Sequence, residues 1–588
     1  MAPAPPVGAV ATTIAATAVV GPGRPSATLR PMRPGLASWV ATSIVAVSTA
    51  QAQRWDDATA ATIGDTGEWT NKVEVADLDG DGWVDLLFAN GGDYDAAGAP
   101  EPQRVFRNLG NWAQPGPHFA EITSNVFGPG AVRLARVIKV GDLDGDGDLD
   151  IFVGGAHGTA SGLFLRRTGG GYDDVSATNL PAGPVALGDV ELGDIDGDGD
   201  LDLAAVDWGG PPQTSQGPVR LWLNDGLARF TAAPADRTPA ATIGWSWDLE
   251  LVDVDDDADL DLLVSCKRCT GGRLWRNDGS GRFTDASAGL PQRGNNYDYE
   301  AMDVDGDGDL DLVTVNDGPT LRETVLLGDG AGRFEDHTAE LLTGAANPAD
   351  ADDNVIAFVD VDSDRDADLI VGSLSDPDRL LRNDGAAGFT LVPGALPLAT
   401  PGTLGLALAD LDRDGRVDVV QGQGENALPD VVQRAAATNP PDTAVPVIKV
   451  LRPATRADRR VIARIHDRRS PSRLHDWRRV VVEIAGPGTR PAIPMRWIGE
   501  YLWVATVPDE AAVVYRVCAT DVAGNPFCAR DEALDPPVDA GSDAAIDPTT
   551  PGGGCCAVGG DGRGAALPTL AVMVALVGGR RRRARRPR

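Results

Sequence analysis

Asp77-Leu78-Asp79-Gly80-Asp81-Gly82-Trp83-Val84-Asp85 is the stretch on which the fold turns. Carboxylates stand at positions one, three, five and nine, and the glycine at position six permits a sharp turn. The spacing returns as Asp142, Asp144, Asp146 and Asp150, as Asp194, Asp196, Asp198 and Asp202, and as Asp303, Asp305, Asp307 and Asp311. Degenerate copies carry Asp253, Asp255, Asp257 and Asp261, then Asp360, Asp362, Asp364 and Asp368. The last holds Asp410, Asp412, Asp414 and Asp418. The seven starts lie 50 to 65 residues apart, the length of a unit of four short strands.

The flanks carry the same message. Alternating segments such as Lys72-Val73-Glu74-Val75 precede the loops, and apolar runs such as Ile151-Phe152-Val153 follow them. Both read as strands around a tight turn. Most units then repeat an Asn-Asp-Gly hairpin signal, as in Asn277-Asp278-Gly279, where Gly and Asn accept positive φ. The seventh unit lacks its closing element, and a matching piece, Trp55-Asp56-Asp57-Ala58-Thr59, stands alone before the first loop. A ring in which this piece completes the last unit removes the open edges. The expected fold is all-β: a seven-bladed β-propeller over residues 53–438, followed by a small β-sandwich.

These residues resemble the FG-GAP/VCBS repeats of integrin α-like propellers, over about Trp55 to Arg434. The fold serves adhesion, sugar binding and enzymes alike, so the resemblance speaks to architecture more than to activity. Calcium is a hard cation that takes about 6–8 oxygen ligands, and the 28 aspartates above supply them in groups of four. The resemblance adds a main-chain carbonyl at position seven. A solvated acidic turn would explain one such loop, but not seven in register. EF-hands do not fit, because position twelve is Phe88, Val153 and Ala205 in the first three loops. Up to seven Ca²⁺ are expected. Loop four has Ala258 at position six and loop six has Arg365, so both are expected to bind weakly, and loop six most weakly.

The formal charge is −34, from 86 acidic and 52 basic residues, which disfavours nucleic-acid partners. Residues 1–52 read as leader and signal peptide: Met32-Arg33, an apolar run from Leu36 to Val47, then Ala50-Gln51-Ala52. Translation starting at Met32 would suit this anatomy; a buried apolar strand is the alternative. Residues 536–554 read as a flexible stalk. Residues 555–588 begin with Cys555-Cys556, continue through a short apolar stretch from Ala565 to Gly579, and end with seven arginines in the last nine residues. This tail resembles MYXO-CTERM sorting signals, which implies a C-terminal sorting protease, membrane contact only through the tail, and a place at the cell surface, in the outer membrane or in the medium.

Residues 442–535 hold 15 Lys/Arg against 12 Asp/Glu. Val447 to Val450, Val480 to Glu483, Tyr501 to Val504 and Tyr515 to Cys518 read as strands of an immunoglobulin- or fibronectin-like sandwich. Arg459, Arg460, Arg468 and Arg469 read as a basic ligand patch or a solvated basic loop. Cys266 and Cys269 read as a local disulfide, and Cys518 and Cys528 as a pair across a hairpin.

No catalytic constellation such as G-x-S-x-G or H-E-x-x-H occurs. The function expected is a calcium-binding surface module for adhesion, with a glycan or protein ligand. Trp208, Trp245, Trp247 and Tyr297 are candidates for stacking on sugar rings, with packing between blades as the alternative. The other two readings are the scaffold of a secreted polysaccharide-degrading enzyme and a purely structural surface protein.

Overall fold

The computed structural model describes residues 54–534 apart from 93–95, 210–216, 240–242, 268, 317–321, 350, 386–387, 397–401, 425–427, 487–489 and 511–512. The expected leader, stalk and sorting tail lie outside the described residues. Among those described, no helix is long and apolar enough to cross a membrane.

The protein is mostly β. Six four-stranded antiparallel sheets follow in chain order, each running from first strand to fourth without crossover. Sheet one comprises Thr70–Ala76, Asp85–Asn90, Arg104–Asn108 and Phe119–Glu121, and the first strands of sheets two to six are Ala135–Gly141, Leu187–Gly193, Leu249–Val252, Asn296–Met302 and Asp353–Val359. A seventh sheet takes three strands from the end of this region, Thr403–Ala409, Asp418–Gln423 and Val431–Ala435, and its fourth from the start of the described chain, Trp55–Asp57. Trp55 pairs with Ala435 and Asp57 with Gln433, as the displaced sequence element predicts.

Each acidic loop joins a first strand to a second, and its position-nine aspartate opens the second strand: Ala76 faces Asp85, and Met302 faces Asp311. The second strands are buried on both faces. Leu86, Leu87 and Phe88 are each fully covered, which explains why they read as continuous apolar runs rather than alternating ones. The first strands pack on one another in succession through all seven sheets, and that of sheet seven packs back on that of sheet one.

A side chain repeated in the hairpin signal ties neighbouring sheets. Asn277 Nδ2 donates to the carbonyl of Leu260 in its own sheet and, at 2.8 Å, to that of Ile195 in the preceding acidic loop. Asn224 does the same for Leu201 and Leu143, and Asn383 reaches Val304. Asn108 reaches Leu411 of loop seven, which links sheet one to sheet seven. These asparagines were expected for their tolerance of positive φ. Asn277 and Asn383 instead end β-strands with buried side chains, and the positive φ falls on the glycine two residues on, 72° at Gly279 and 69° at Gly385.

Two further sheets follow. One orders Val447–Arg452, Arg460–His466, Leu502–Thr506 and Arg496–Gly499; the other orders Ile493–Pro494, Trp477–Ala485, Val514–Asp521 and Pro526–Cys528, with Glu532–Ala533 also on Val514–Asp521. They share a buried cluster that includes Ala463, Ile465, Val482, Tyr515 and Val517. Both sit against the end of the ring that carries the acidic loops. Tyr501 Oη donates to the Ala301 carbonyl at 2.6 Å, Asp194 N to the Ile498 carbonyl at 2.8 Å, and Phe358 N to Ser470 Oγ at 3.0 Å.

Candidate metal centres

The seven loops share one hydrogen-bonding plan. The position-one aspartate accepts the N–H of position six: Gly82 on Asp77 at 2.7 Å, Ala258 on Asp253 at 3.1 Å, Arg365 on Asp360 at 3.0 Å. The position-five aspartate accepts the N–H of position seven, as Asp148 does on Asp146 at 2.9 Å. Carboxylate oxygens are thereby drawn together. Those of Asp77, Asp79 and Asp81 lie within 4.8 Å of one another, as do those of Asp142, Asp144 and Asp146, of Asp194, Asp196 and Asp202, and of Asp253, Asp255 and Asp261.

Position nine differs from the other three. Both oxygens of Asp85 accept main-chain N–H groups, from Leu78 at 3.1 Å and Asn108 at 2.8 Å. The pattern recurs at Asp150, Asp202, Asp261, Asp311, Asp368 and Asp418. These aspartates pin each loop to the third strand of its own sheet, a structural duty that exists before any ion binds. Burial pushes their carboxyls up, to about 8 for Asp85 and Asp311 and to about 9 for Asp368.

The remaining acceptors test whether the loops fit a cation. The Oδ1 atoms of Asp77, Asp142 and Asp196 are buried with no hydrogen-bond partner. Buried carboxylate oxygens without partners are costly, and a hard cation is the partner this donor set suits.

Position six has positive φ in every loop, including 71° at Ala258 and 82° at Arg365. Position four does too, which the sequence reading missed: Asp256 has φ 63°, Ser363 60° and Arg413 57°, against glycine in the other four loops. The signal was present as the first glycine of Asp-Gly-Asp-Gly, such as Gly80. Loops four, six and seven therefore carry left-handed non-glycine residues, at a cost of about 1–2 kcal/mol each.

Cationic side chains approach several loops. Loop four receives most. Arg464 Nη2 lies 2.6 Å from Asp256 Oδ1 and donates to the Asp253 carbonyl at 2.8 Å. Lys449 Nζ pairs with Asp256 and, at 3.1 Å, with Asp309, while Arg276 pairs with Asp255. In loop six Arg382 stands 3.6 Å from Asp362 and Arg468 donates to the Arg365 carbonyl. Arg434 pairs with Asp412 and Asp414 of loop seven.

Between loops one and seven and the last two sheets lies a cleft of about 660 Å³. Trp477, Trp497, His475, Arg413 and Arg478 line it, with Asp77 and Asp410 of the two loops. The aromatic residues singled out from sequence lie elsewhere. Trp208, Trp245, Trp247 and Tyr297 are 1–4 % exposed and pack on one another at centroid distances of 5.3–5.6 Å. Arg136 covers Trp247 at 4.0 Å and Lys267 covers Tyr297 at 4.2 Å. Their faces serve packing.

The four arginines read as a patch or a solvated loop differ in their surroundings. Arg469 is buried on Asp476, Arg460 pairs with Asp458 at 3.1 Å, and Arg459 and Arg468 are half-buried. Cys266 pairs with Cys269, and Cys518 with Cys528 across adjacent strands.

FG-GAP-like repeats are found at residues 142–205, 266–314, 303–371 and 360–420. The first, third and fourth stretches each run from an acidic loop into the second strand of the next sheet. No curated protein matches the chain. Among solved structures, the chain is similar to a lectin from Agrocybe aegerita that recognises non-reducing terminal N-acetylglucosamine. Identity is 16 % and the TM-score 0.35, over 66 % of this chain and 94 % of the lectin. It is also similar to an ancestral GH74 enzyme, at 12 % identity and a TM-score of 0.39, over 65 % of this chain and 49 % of the enzyme. The class so defined is a mostly-β protein of repeated four-stranded sheets containing FG-GAP-like repeats.

Proposed function

We propose that the seven repeated sheets are the blades of a β-propeller, that the last two sheets form a sandwich seated on its loop face, and that the protein is a calcium-binding, exported binding module. The observation that carries this reading is the recurrence of one loop seven times, with converging carboxylates and buried acceptor oxygens that lack partners. Aspartates at positions one, three and five would hold Ca²⁺, with position nine contributing from its anchored place. Bound calcium would supply the charge that these crowded carboxylates otherwise lack, and so stabilise the loop face. In this reading loop four binds most weakly, below loop six, because Arg464, Lys449 and Arg276 already neutralise Asp256 and Asp255.

Export agrees with the two paired cystines, which persist in oxidising compartments. The ligand site of this reading is the 660 Å³ cleft. It combines indole surface with guanidinium groups, and the Trp477 indole N–H is buried without a hydrogen-bond partner. Aromatic faces beside polar donors suit a glycan or a peptide ligand, and the loops that flank the cleft would make binding calcium-dependent. A glycan-array screen of the protein with calcium and with chelator tests this. Calcium-dependent signals lost in Trp477→Ala support the module; signals unchanged by both perturbations remove the cleft from the account.

A further inference from the structure

A second acidic centre lies away from the loops. On the axis of the ring is a cavity of about 60 Å³, walled by the first strands and closed by Pro471, Arg473 and Glu500 from the last two sheets. Seven carboxylates and three cations line it. The cations are committed: Lys72 Nζ stands 2.8 Å from Asp248, Lys139 pairs with Glu191, and Arg473 Nε lies 2.9 Å from Glu74. Arg473 reaches Glu500 only at 3.9 Å.

Glu250 and Glu300 form no ion pair among the described residues. They are 7 % and 9 % exposed, and the Oε2 of each is buried with no hydrogen-bond partner, although the Glu300 carboxylate also accepts from the Ser470 hydroxyl. Two buried carboxylates with open lone pairs are unstable as bare charges. They must share protons or hold a cation. One water needs only about 10–15 Å³ of such space, so the cavity of about 60 Å³ has room for an ion with several waters. The donors are all oxygen, which selects a hard cation over a thiophilic metal.

We propose that the axial cavity is a cation site in which Glu250 and Glu300 ligate a hard divalent ion and Glu500 completes its oxygen shell. The site is independent of the calcium loops. It is also sealed. Ser472 N donates to Glu500 Oε1 at 2.8 Å, and the Arg473–Glu74 pair holds the closing segment against sheet one. Glu250, Glu300 and Glu500 are all buried, so an ion held by them exchanges more slowly than ions in loops open to solvent.

The test is elemental analysis of the full-length protein after prolonged dialysis against chelator under native conditions. About one divalent ion per chain should remain, and the double variant Glu250→Gln/Glu300→Gln, isosteric and neutral, should retain none while still melting cooperatively. Should that variant fail to fold, the wild-type count decides alone. No retained ion in the wild type, together with none taken up on refolding from chelator and urea into calcium or magnesium, overturns the proposal. So does an ion that persists in the folded double variant, or an infrared carbonyl band of protonated carboxyls that the double substitution abolishes. Ions of the seven loops are counted separately, as the difference between calcium-saturated and chelated protein. That reading can therefore fail without touching this one.

Discussion

Replacing Trp55 with alanine attacks the closure of the ring at a single side chain. Trp55 is 1 % exposed, packs in the cluster between sheets six and seven, and donates its indole N–H to the Val417 carbonyl at 2.9 Å. Truncating a buried tryptophan costs about 3–5 kcal/mol. Unfolding entropy of ~2.1 cal/mol/K per residue over the roughly 380 residues of the seven sheets gives ~0.8 kcal/mol/K, so the melting temperature should fall by about 4–6 °C. Scanning calorimetry is the assay, with tryptophan fluorescence as a second probe. In a closed ring the main transition moves as a whole, because sheet seven touches both sheet six and sheet one. An open row would lose sheet seven alone. A small early transition beside an unshifted main one would refute the reasoning.

Asn277→Ala removes the donor shared by the Ile195 and Leu260 carbonyls and should cost about 1–3 kcal/mol, read as a lower urea midpoint; an unchanged midpoint would contradict the bridging role. Arg464→Met leaves Asp253 and Asp256 short of a cation and should destabilise chelated protein by about 3–5 kcal/mol. Added calcium should restore much of that loss, and failure of the rescue in thermal melts would mean that loop four does not accept the ion. His466 is buried beside Arg468 and Arg464, and burial first, then those charges, pulls its imidazole down to about 3. The unfolded chain takes that proton near pH 6.5, so the unfolded state binds more protons between pH 6.5 and 3, and stability falls as pH drops through that window. His466→Gln should flatten the melting temperature against pH between about 6.5 and 4, and an identical slope would rule out this contribution.

The repeat, the strand flanks and the displaced Trp55 element were legible in the sequence because each rests on local spacing. Position-six strain at Ala258 and Arg365 was legible for the same reason. The second duty of position nine was not. Its partners, such as Asn108 for Asp85, lie a strand away, and residue type alone does not distinguish an anchoring carboxylate from a ligating one. The strand Arg460–His466 was not read from sequence, because both of its faces are covered: Val461, Ala463 and Ile465 by the core of the last sheets, and Arg464 by loop four. A strand with arginine turned into an acidic loop does not show the alternation on which strand reading depends. Trp208, Trp245 and Trp247 were ambiguous for a related reason, since composition cannot tell an aromatic shelf from an aromatic core. Arg136 and Lys267 supply what sequence lacked: cations that cover the ring faces.

The central claim is that the seven loops hold calcium, and calcium titration of the chelated protein by isothermal calorimetry tests it most directly. The account predicts strong uptake by the four loops with glycine at both positions four and six, with weaker uptake at loops four, six and seven. Asp144→Asn should lower the count, and magnesium should substitute poorly because it prefers a tighter octahedral shell. A titration without heat, together with equal melting in chelator and in millimolar calcium, would contradict the claim and leave the loops as acidic turns.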